Sequence, residues 1–275
     1  MDRLVCGNEG RENKYRTPAG ARSGKRTPWP SLTFHRKMLK VYWRSSRLAV
    51  KGLYDGDQWA MGSLEVLRLL ESVGVQIEID NLDVPYRLSE PCVYIGNHMS
   101  TLETMVLPCL VQPARNTTFI VKESLTRFPV FGPIMRSRDP IAVGRSDPRE
   151  DLKIVMKGGQ QHLESGTSVI VFPQTTRSAT FDPAQFNTIG VKLARRANVP
   201  VVPIALKTDA WEKGGIIKDF GPIRPERMVH ICFAEPLAVS GSGREEHEQI
   251  VKFIQGKLYE WGEERSKIQS PKSKG

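Results

Sequence analysis

Residues 92–111 read CVYIGNHMSTLETMVLPCLV, a strand pattern followed at once by a helix pattern. The apolar run 92–95 has the length of a buried β-strand, and Leu102–Val111 has the length of a short helix. A polar turn that contains one histidine, His98, joins the two. Proteins with alternating strands and helices place their ligand sites at such turns, beyond the carboxyl ends of the strands. We therefore expect the functional site near residue 98.

The same alternation of strand and helix patterns continues from residue 75 to about residue 260. Short β-rich runs stand at 75–79, 92–95, 118–121, 140–143, 168–172, 199–206 and 228–233. Helical patterns occupy 102–111, 148–164, 183–197 and 243–260. This order predicts a single α/β domain with a central, mostly parallel or mixed sheet that is flanked by helices.

A basic amphipathic helical hairpin is predicted in front of the sheet. Residues 32–54 interleave apolar side chains, Tyr42 and Trp43 among them, with Lys and Arg and no acid, and a second amphipathic helix follows near 58–73. One interpretation is an interfacial segment, with rings at headgroup depth and cations towards anionic lipid. The other is a helix that packs on the domain and exposes a basic face to water.

The positive charge is concentrated at the two ends of the chain. Of the formal net charge of +10, residues 1–47 carry +9 and residues 265–275 carry +4, so residues 48–264 carry −3. Basic ends suit a polyanion, either nucleic acid or an anionic membrane surface. The acidic body and the lack of a nucleic-acid module favour the membrane, and we expect no nucleic-acid partner.

Four regions are predicted: a disordered basic N-terminus over 1–30, membrane-associating helices over 31–74, the sheet domain over 75–262, and a disordered basic tail over 263–275. The four cysteines are scattered without CxxC spacing, and no metal-ligand cluster is recognisable. No apolar run reaches the roughly 18 residues of a transmembrane helix, and no apolar signal core is seen. We expect a cytoplasmic protein that lies peripherally on the inner face of the cytoplasmic membrane.

The pair His98 and Glu103 has two interpretations. A carboxylate five residues after the histidine can accept the imidazole Nδ1–H, which leaves Nε2 free to take a proton from a substrate hydroxyl. The segment Ser100-Thr101-Leu102-Glu103 is also a capping box, in which Glu103 bonds back to the Ser100 amide at the start of a helix. The local sequence leaves both open.

Further blocks of sequence resemble one known family. The segment 98–103 resembles the HX4D motif of the glycerolipid acyltransferases, of the bacterial 1-acylglycerol-3-phosphate (lysophosphatidate) acyltransferase type. The blocks KESLTRFPVFG at 122–132, IAVGR at 141–145, VFPQTTRS at 171–178 and VPVVPI at 199–204 are similar to that family's later motifs, in the same order. The resemblance covers about residues 75–235.

The resemblance implies a role for each residue of these blocks. His98 would be the general base and Glu103 its partner, while Arg145 and Arg177 would bind the acceptor phosphate. Lys122, Gln174, Thr175 and Thr176 would complete the substrate site, with backbone N–H groups near 175–176 as an oxyanion hole. Taken alone, the two arginines could instead form surface ion pairs with acids, of which Asp139, Asp147 and Asp182 are candidates.

The implied reaction moves a fatty-acyl group from acyl-CoA or acyl-carrier protein to a lysophospholipid, converting 1-acylglycerol-3-phosphate to phosphatidic acid. No cofactor or metal is implied. Three positions depart from the family's pattern, since Glu103 stands for an aspartate, Gln174 for a glutamate and Thr175 for a glycine. The alternatives are another lysolipid or lyso-aminolipid acceptor, or a non-catalytic, membrane-associated lipid-binding protein.

Overall fold

An eight-stranded mixed sheet forms the centre of the protein. The structure, a computed structural model, describes residues 13–21, 28–174, 176–215 and 217–269. The strands are β1 (Lys14–Arg16), β2 (Ile77–Asp80), β3 (Val93–Gly96), β4 (Thr117–Lys122), β5 (Ile141–Val143), β6 (Ser168–Val171), β7 (Val201–Lys207) and β8 (Val229–Phe233). All seven predicted runs are strands, which confirms the α/β fold.

The strand order is β1-β2-β8-β7-β3-β6-β4-β5. β3 pairs in parallel with both β6 and β7, and β4 pairs in parallel with β5 and β6. β2 and β8 are also parallel, whereas β1 runs antiparallel to β2 and β7 runs antiparallel to β8. The parallel strands β3 to β7 therefore end at one edge, and the loops that follow them meet there.

Helices cover both faces of the sheet. They are α1 (Pro30–Val50), α2 (Gly56–Ser72), α3 (Val84–Arg87), α4 (Leu102–Val111), α5 (Phe131–Arg136), α6 (Pro148–Glu164), α7 (Ile189–Ala197) and α8 (Arg244–Gln269). Side chains of α1, α2 and α4 share a core with Tyr94 of β3, and those of α6, α7 and α8 share another with Val93 and Ile95. Alternate side chains of one central strand thus pack into two separate cores, one on each face of the sheet.

The helices α1 and α2 pack against each other and against the sheet. Phe34 and Met38 of α1 and Leu67 and Leu70 of α2 are buried in the same core as the sheet residues. Asp55 accepts a hydrogen bond from the amide of Gln58 at 2.9 Å and so caps the start of α2. The helices predicted over 31–74 and the sheet domain predicted from residue 75 therefore share one hydrophobic core.

The prediction of a disordered N-terminus over 1–30 is wrong for the part that contains β1. Lys14 forms ion pairs with Glu78 at 2.6 Å and Asp80 at 2.9 Å, and Tyr15 donates a hydrogen bond to buried Glu71 at 2.5 Å. These polar contacts order a segment that has little apolar surface to bury. Residues 1–12 and 22–27 lie outside the described residues.

The C-terminal tail over 263–275 also begins later than expected, because α8 continues to Gln269. Residues 270–275 lie outside the described residues. None of the helices in the described part of the chain has both the length and the apolarity to cross a membrane.

Candidate active site

Asn97 fixes the turn that follows β3. Its side chain is buried, where Nδ2 donates to the carbonyl of Leu206 at 2.7 Å and Oδ1 accepts from the amide of Leu206 at 2.9 Å. The amide side chain thus pairs with a backbone position of β7 as a further strand residue would. These two hydrogen bonds set the direction in which the chain leaves β3, and with it the position of His98.

His98 and Glu103 are in contact, as the sequence predicted. Nδ1 of His98 lies 2.9 Å from Oε1 of Glu103, and the imidazole is mostly but not wholly buried, with 17% of its side chain exposed. A carboxylate accepts, so Nδ1 carries the proton and Nε2 presents its lone pair. No hydrogen bond to Nε2 is found within the described residues, which leaves that nitrogen available to a substrate.

Glu103 is a fully buried acceptor for five donors. Oε1 accepts from His98 Nδ1 and from the amides of Met99 at 2.7 Å and Ser100 at 2.8 Å. Oε2 accepts from the hydroxyls of Ser100 at 2.9 Å and Thr208 at 2.6 Å. Burial alone would raise the pKa of Glu103, but the hydrogen bonds from His98, Thr208 and Ser100 outweigh it and hold the pKa below its ordinary value. The carboxylate is therefore ionised behind the imidazole.

The capping bond and the histidine bond coexist in this structure. Glu103 accepts from the Ser100 amide, as a capping box requires, and the same oxygen accepts from His98. The two interpretations of the motif are thus not exclusive, because one carboxylate starts α4 and orients the imidazole.

The segment after β6 closes over the other side of His98. The ring of Phe172 stacks on the imidazole with centroids 4.5 Å apart and an angle of 8° between planes. Gln174 is buried and accepts from the His98 amide through Oε1 at 2.7 Å, and the Ser178 amide donates to the His98 carbonyl at 2.9 Å. The ring of His98 is therefore held between Phe172 and Glu103, and its backbone is bound on both sides by the segment after β6.

Arg177 lies beside the same turn. Its Nη1 donates to the Thr101 hydroxyl and to Oδ1 of Asp219, the latter at 2.6 Å. The ion-pair partner is thus Asp219, in the connection between β7 and β8, and not one of the acids considered from the sequence. Arg177 and the His98 turn are therefore joined through Thr101.

Arg145 and Lys122 lie further along the same edge of the sheet. Arg145 follows β5, three strands from β3, and Lys122 ends β4, two strands from β3. With about 4.8 Å between neighbouring strands, these separations are about 14 Å and about 10 Å. The amides of Gly144 and Arg145 donate to Asp151 at 3.0 and 2.9 Å, and Arg145 has a φ of 62°. Both cations therefore lie at the same edge of the sheet as His98.

Two of the expected site residues follow Gln174. Thr176 is exposed, and Thr175 lies outside the described residues. In the described part of the chain, no three His, Cys, Asp or Glu side chains are grouped closely enough to hold a metal ion.

Four residues of the site were missed from the sequence, namely Asn97, Phe172, Thr208 and Asp219. Phe172 lies in a motif block and Asn97 directly precedes one, and their positions next to strand ends were a usable signal. Thr208 directly follows β7, so it too could have been found at the carboxyl edge. Asp219 belongs to an irregular connection whose path the strand pattern does not predict.

Known proteins with a similar sequence match this region. The family described as Acyltransferase matches residues 76–207. A 1-acyl-sn-glycerol-3-phosphate acyltransferase from Pseudomonas aeruginosa is 30% identical over 198 residues, which cover 71% of this chain and 72% of that protein. The chain belongs to the Acyltransferase family. It is an acyltransferase enzyme of lipid metabolism, and the resemblance read from its motifs is confirmed.

Two further comparisons extend this result. A chloroplastic 1-acyl-sn-glycerol-3-phosphate acyltransferase from Brassica napus is 34% identical over 116 residues, which span 42% of this chain and 33% of that relative. The crystal structure of the 1-acyl-sn-glycerophosphate acyltransferase PlsC from Thermotoga maritima matches with a TM-score of 0.64 and 17% identity, over 89% of this chain and 97% of that one. The structural comparison shows that this chain and PlsC share a fold.

Proposed function

We propose that this acyltransferase moves a fatty-acyl group from an acyl thioester to the free hydroxyl of 1-acylglycerol-3-phosphate, which gives phosphatidic acid. The observation that carries the proposal is the pair His98–Glu103, in which a buried, ionised carboxylate holds Nδ1–H and leaves Nε2 as a base. The relatives' names agree with this acceptor.

The reaction proceeds by direct transfer between the two substrates. Nε2 of His98 takes the proton of the acceptor hydroxyl as that oxygen attacks the thioester carbonyl carbon. The tetrahedral intermediate collapses, the carbon–sulfur bond breaks, and the leaving thiolate takes the proton back from the imidazolium. Glu103 stabilises the imidazolium during this cycle, as the acid of a serine-protease triad does. The enzyme returns to its starting protonation state without a cofactor.

Arg177 is the first candidate to bind the acceptor phosphate, because it adjoins the His98 turn through Thr101. Arg145 and Lys122 add positive charge at the same edge of the sheet. Gln174 contributes by a different route from the one expected, since its side-chain oxygen accepts from the His98 amide. A glutamate at this position could accept the same bond, so the exchange for glutamine leaves the turn intact.

Helix α1 supports a peripheral position on an anionic membrane. Around the exposed Trp43, a shallow groove is lined by Leu39, Leu48 and the cations Lys40, Arg44, Arg47 and Lys51. The guanidinium of Arg47 lies 5.0 Å from the Trp43 ring centroid. Aromatic rings at headgroup depth with cations towards anionic lipid stabilise interfacial binding. The cytoplasmic leaflet carries such lipids, so we place the enzyme on the inner face of the cytoplasmic membrane.

The transfer reaction is tested with purified protein, a panel of lysolipids, and acyl-CoA or acyl-carrier protein as the donor, with products identified by mass. We expect phosphatidic acid from 1-acylglycerol-3-phosphate, and His98→Ala should reduce its formation at least about a thousandfold. His162→Ala, on α6, is the matched control and should keep full activity. Retained transfer by His98→Ala refutes the mechanism. Faster transfer to another lysolipid refutes 1-acylglycerol-3-phosphate as the preferred acceptor and identifies that lysolipid in its place.

Membrane binding is tested by sedimentation with vesicles of phosphatidylglycerol and phosphatidylcholine. We expect binding that weakens as the salt concentration rises and strengthens as the anionic fraction of the vesicles rises, and Trp43→Ser should weaken it. Tyr259→Ser is the control, since Tyr259 is also an exposed aromatic residue and lies on α8, at the opposite face of the sheet. Equal losses in the two variants contradict the assignment of α1.

A further inference from the structure

The connection between β7 and β8 brings a carboxylate against the guanidinium of Arg177. Oδ1 of Asp219 accepts from Arg177 Nη1 at 2.6 Å and from the Thr101 hydroxyl at 2.9 Å. Thr101 belongs to the His98 turn, so the carboxylate stands close to the reacting centre. The Asp219 side chain is 47% exposed and that of Arg177 24%. An acid therefore borders the part of the site that we assign to the acceptor phosphate.

The connection that carries Asp219 is fixed to helix α1. His35 Nε2 lies 2.7 Å from the Gly221 carbonyl, and the Ile223 amide donates to the Ser31 hydroxyl at 2.9 Å. A Cβ at Gly221 would lie 1.8 Å from the carbonyl oxygen of Glu212, so only glycine fits where the two sides of the connection meet. The carboxylate is therefore carried by a segment that is hydrogen-bonded to α1.

The contacts of Arg177 leave one side of its guanidinium open. Nη1 is taken by Thr101 and Asp219, whereas Nε and Nη2 have no hydrogen-bond partner within the described ranges. These two groups present parallel N–H bonds, the fork that suits two oxygens of a phosphate. A phosphate bound there would lie next to the negative charge of Asp219.

We propose that Asp219 is a specificity-determining residue that selects acceptors by the charge of their headgroup. The inference rests on the proposed function, in which Arg177 binds the acceptor phosphate. The carboxylate repels a doubly charged phosphomonoester more than a singly charged phosphodiester, and it attracts an ammonium group attached to that diester. Asp219 therefore narrows the preference for lysophosphatidate over a zwitterionic lysophospholipid.

The test measures headgroup binding and does not depend on turnover. Glycerol 3-phosphate and glycerophosphoethanolamine are titrated into the wild type and Asp219→Asn by calorimetry. Asparagine keeps an oxygen for Nη1 but removes the charge, so glycerol 3-phosphate should bind about fivefold more tightly, roughly 1 kcal/mol, while glycerophosphoethanolamine gains nothing. Glu226→Gln, an exposed acid in the same connection without a contact to Arg177, should leave the ratio of the two affinities unchanged.

Two more variants separate charge from shape. Asp219→Glu keeps the charge and should keep the wild-type ratio of the two affinities. Asp219→Ser removes the charge and should change that ratio as Asp219→Asn does. It takes the place of Asp219→Asn in the test if that variant does not fold. An unchanged ratio in Asp219→Asn, an equal loss for both probes, or no binding of glycerol 3-phosphate overturns the proposal. If the wild type binds both probes but acylates neither lysolipid, the proposed function fails and the ratio still decides the role of Asp219.

Discussion

Replacing Glu103 by glutamine removes the charge behind His98 and keeps nearly the same shape. Three donors point at Oε1, and the glutamine oxygen can accept from all of them. The hydroxyls of Ser100 and Thr208, which donate to Oε2, can rotate and accept from the new NH₂ group. The hydrogen bonds are thus largely remade, and we expect a loss of about 1–3 kcal/mol in the free energy of unfolding.

The loss of activity should be far larger than the loss of stability. Without the carboxylate, the imidazolium that forms during proton transfer has no counter-charge in its buried surroundings. The corresponding change in a serine protease lowers kcat about ten-thousandfold. We expect kcat of Glu103→Gln to fall about a thousandfold or more, which is a barrier increase of about 4 kcal/mol.

The assay follows phosphatidic acid formation at saturating acceptor, beside urea unfolding of the same samples. Glu71→Gln is the matched control, because Glu71 is also a buried carboxylate with hydrogen bonds from Tyr15, Thr17 and Arg68, but lies away from the site. It should lose similar stability and keep kcat. The orienting role of Glu103 is refuted if Glu103→Gln keeps a tenth or more of the wild-type kcat. It is also refuted if kcat falls as much in Glu71→Gln as in Glu103→Gln.

The pH dependence of stability adds a second readout for the same variant. The pKa of Glu103 is lower in the folded protein than in the unfolded chain. The stability that the carboxylate contributes is therefore present above the unfolded pKa and is lost as the pH falls through the folded one. Glu103→Gln should lack this share of the acid-induced loss, and identical acid transitions in the two proteins contradict the assignment.

Three other changes have defined outcomes. Asn97→Ala leaves the amide and carbonyl of Leu206 in the core without partners and should cost about 2–4 kcal/mol in urea unfolding; an unchanged midpoint contradicts this. Burial lowers the pKa of His230, which stacks on Trp261, to about 4, so the wild type should lose up to about 3 kcal/mol between about pH 6.5 and pH 4, and His230→Gln should lose less over that range in acid titrations. Arg177→Lys keeps the charge but not the fork and should raise KM for 1-acylglycerol-3-phosphate about tenfold with little change in kcat; a loss in kcat alone speaks against phosphate binding.

The sequence was sufficient for the architecture and for the contact between His98 and Glu103, the pair that we propose to be catalytic. The alternation of patterns from residue 75 predicts the seven strands that follow, and Leu102–Val111 and Pro148–Glu164 are helices with the bounds expected. Periodicity works here because each strand and helix buries a face of its own, so the local pattern and the tertiary fold agree. His98 and Glu103 are close in sequence, and a single turn suffices to bring them together.

Contacts between distant segments were decided by the tertiary structure alone. The ordering of β1 depends on Glu71, Glu78 and Asp80, more than 50 residues away along the chain, and composition does not show such polar contacts. Asp219 meets Arg177 because the β7–β8 connection folds back over the sheet edge, whereas the acids near Arg177 in the sequence do not take that place. Motifs determine which side chains face the edge of a parallel sheet, but the path of an irregular connection determines which charge they meet there.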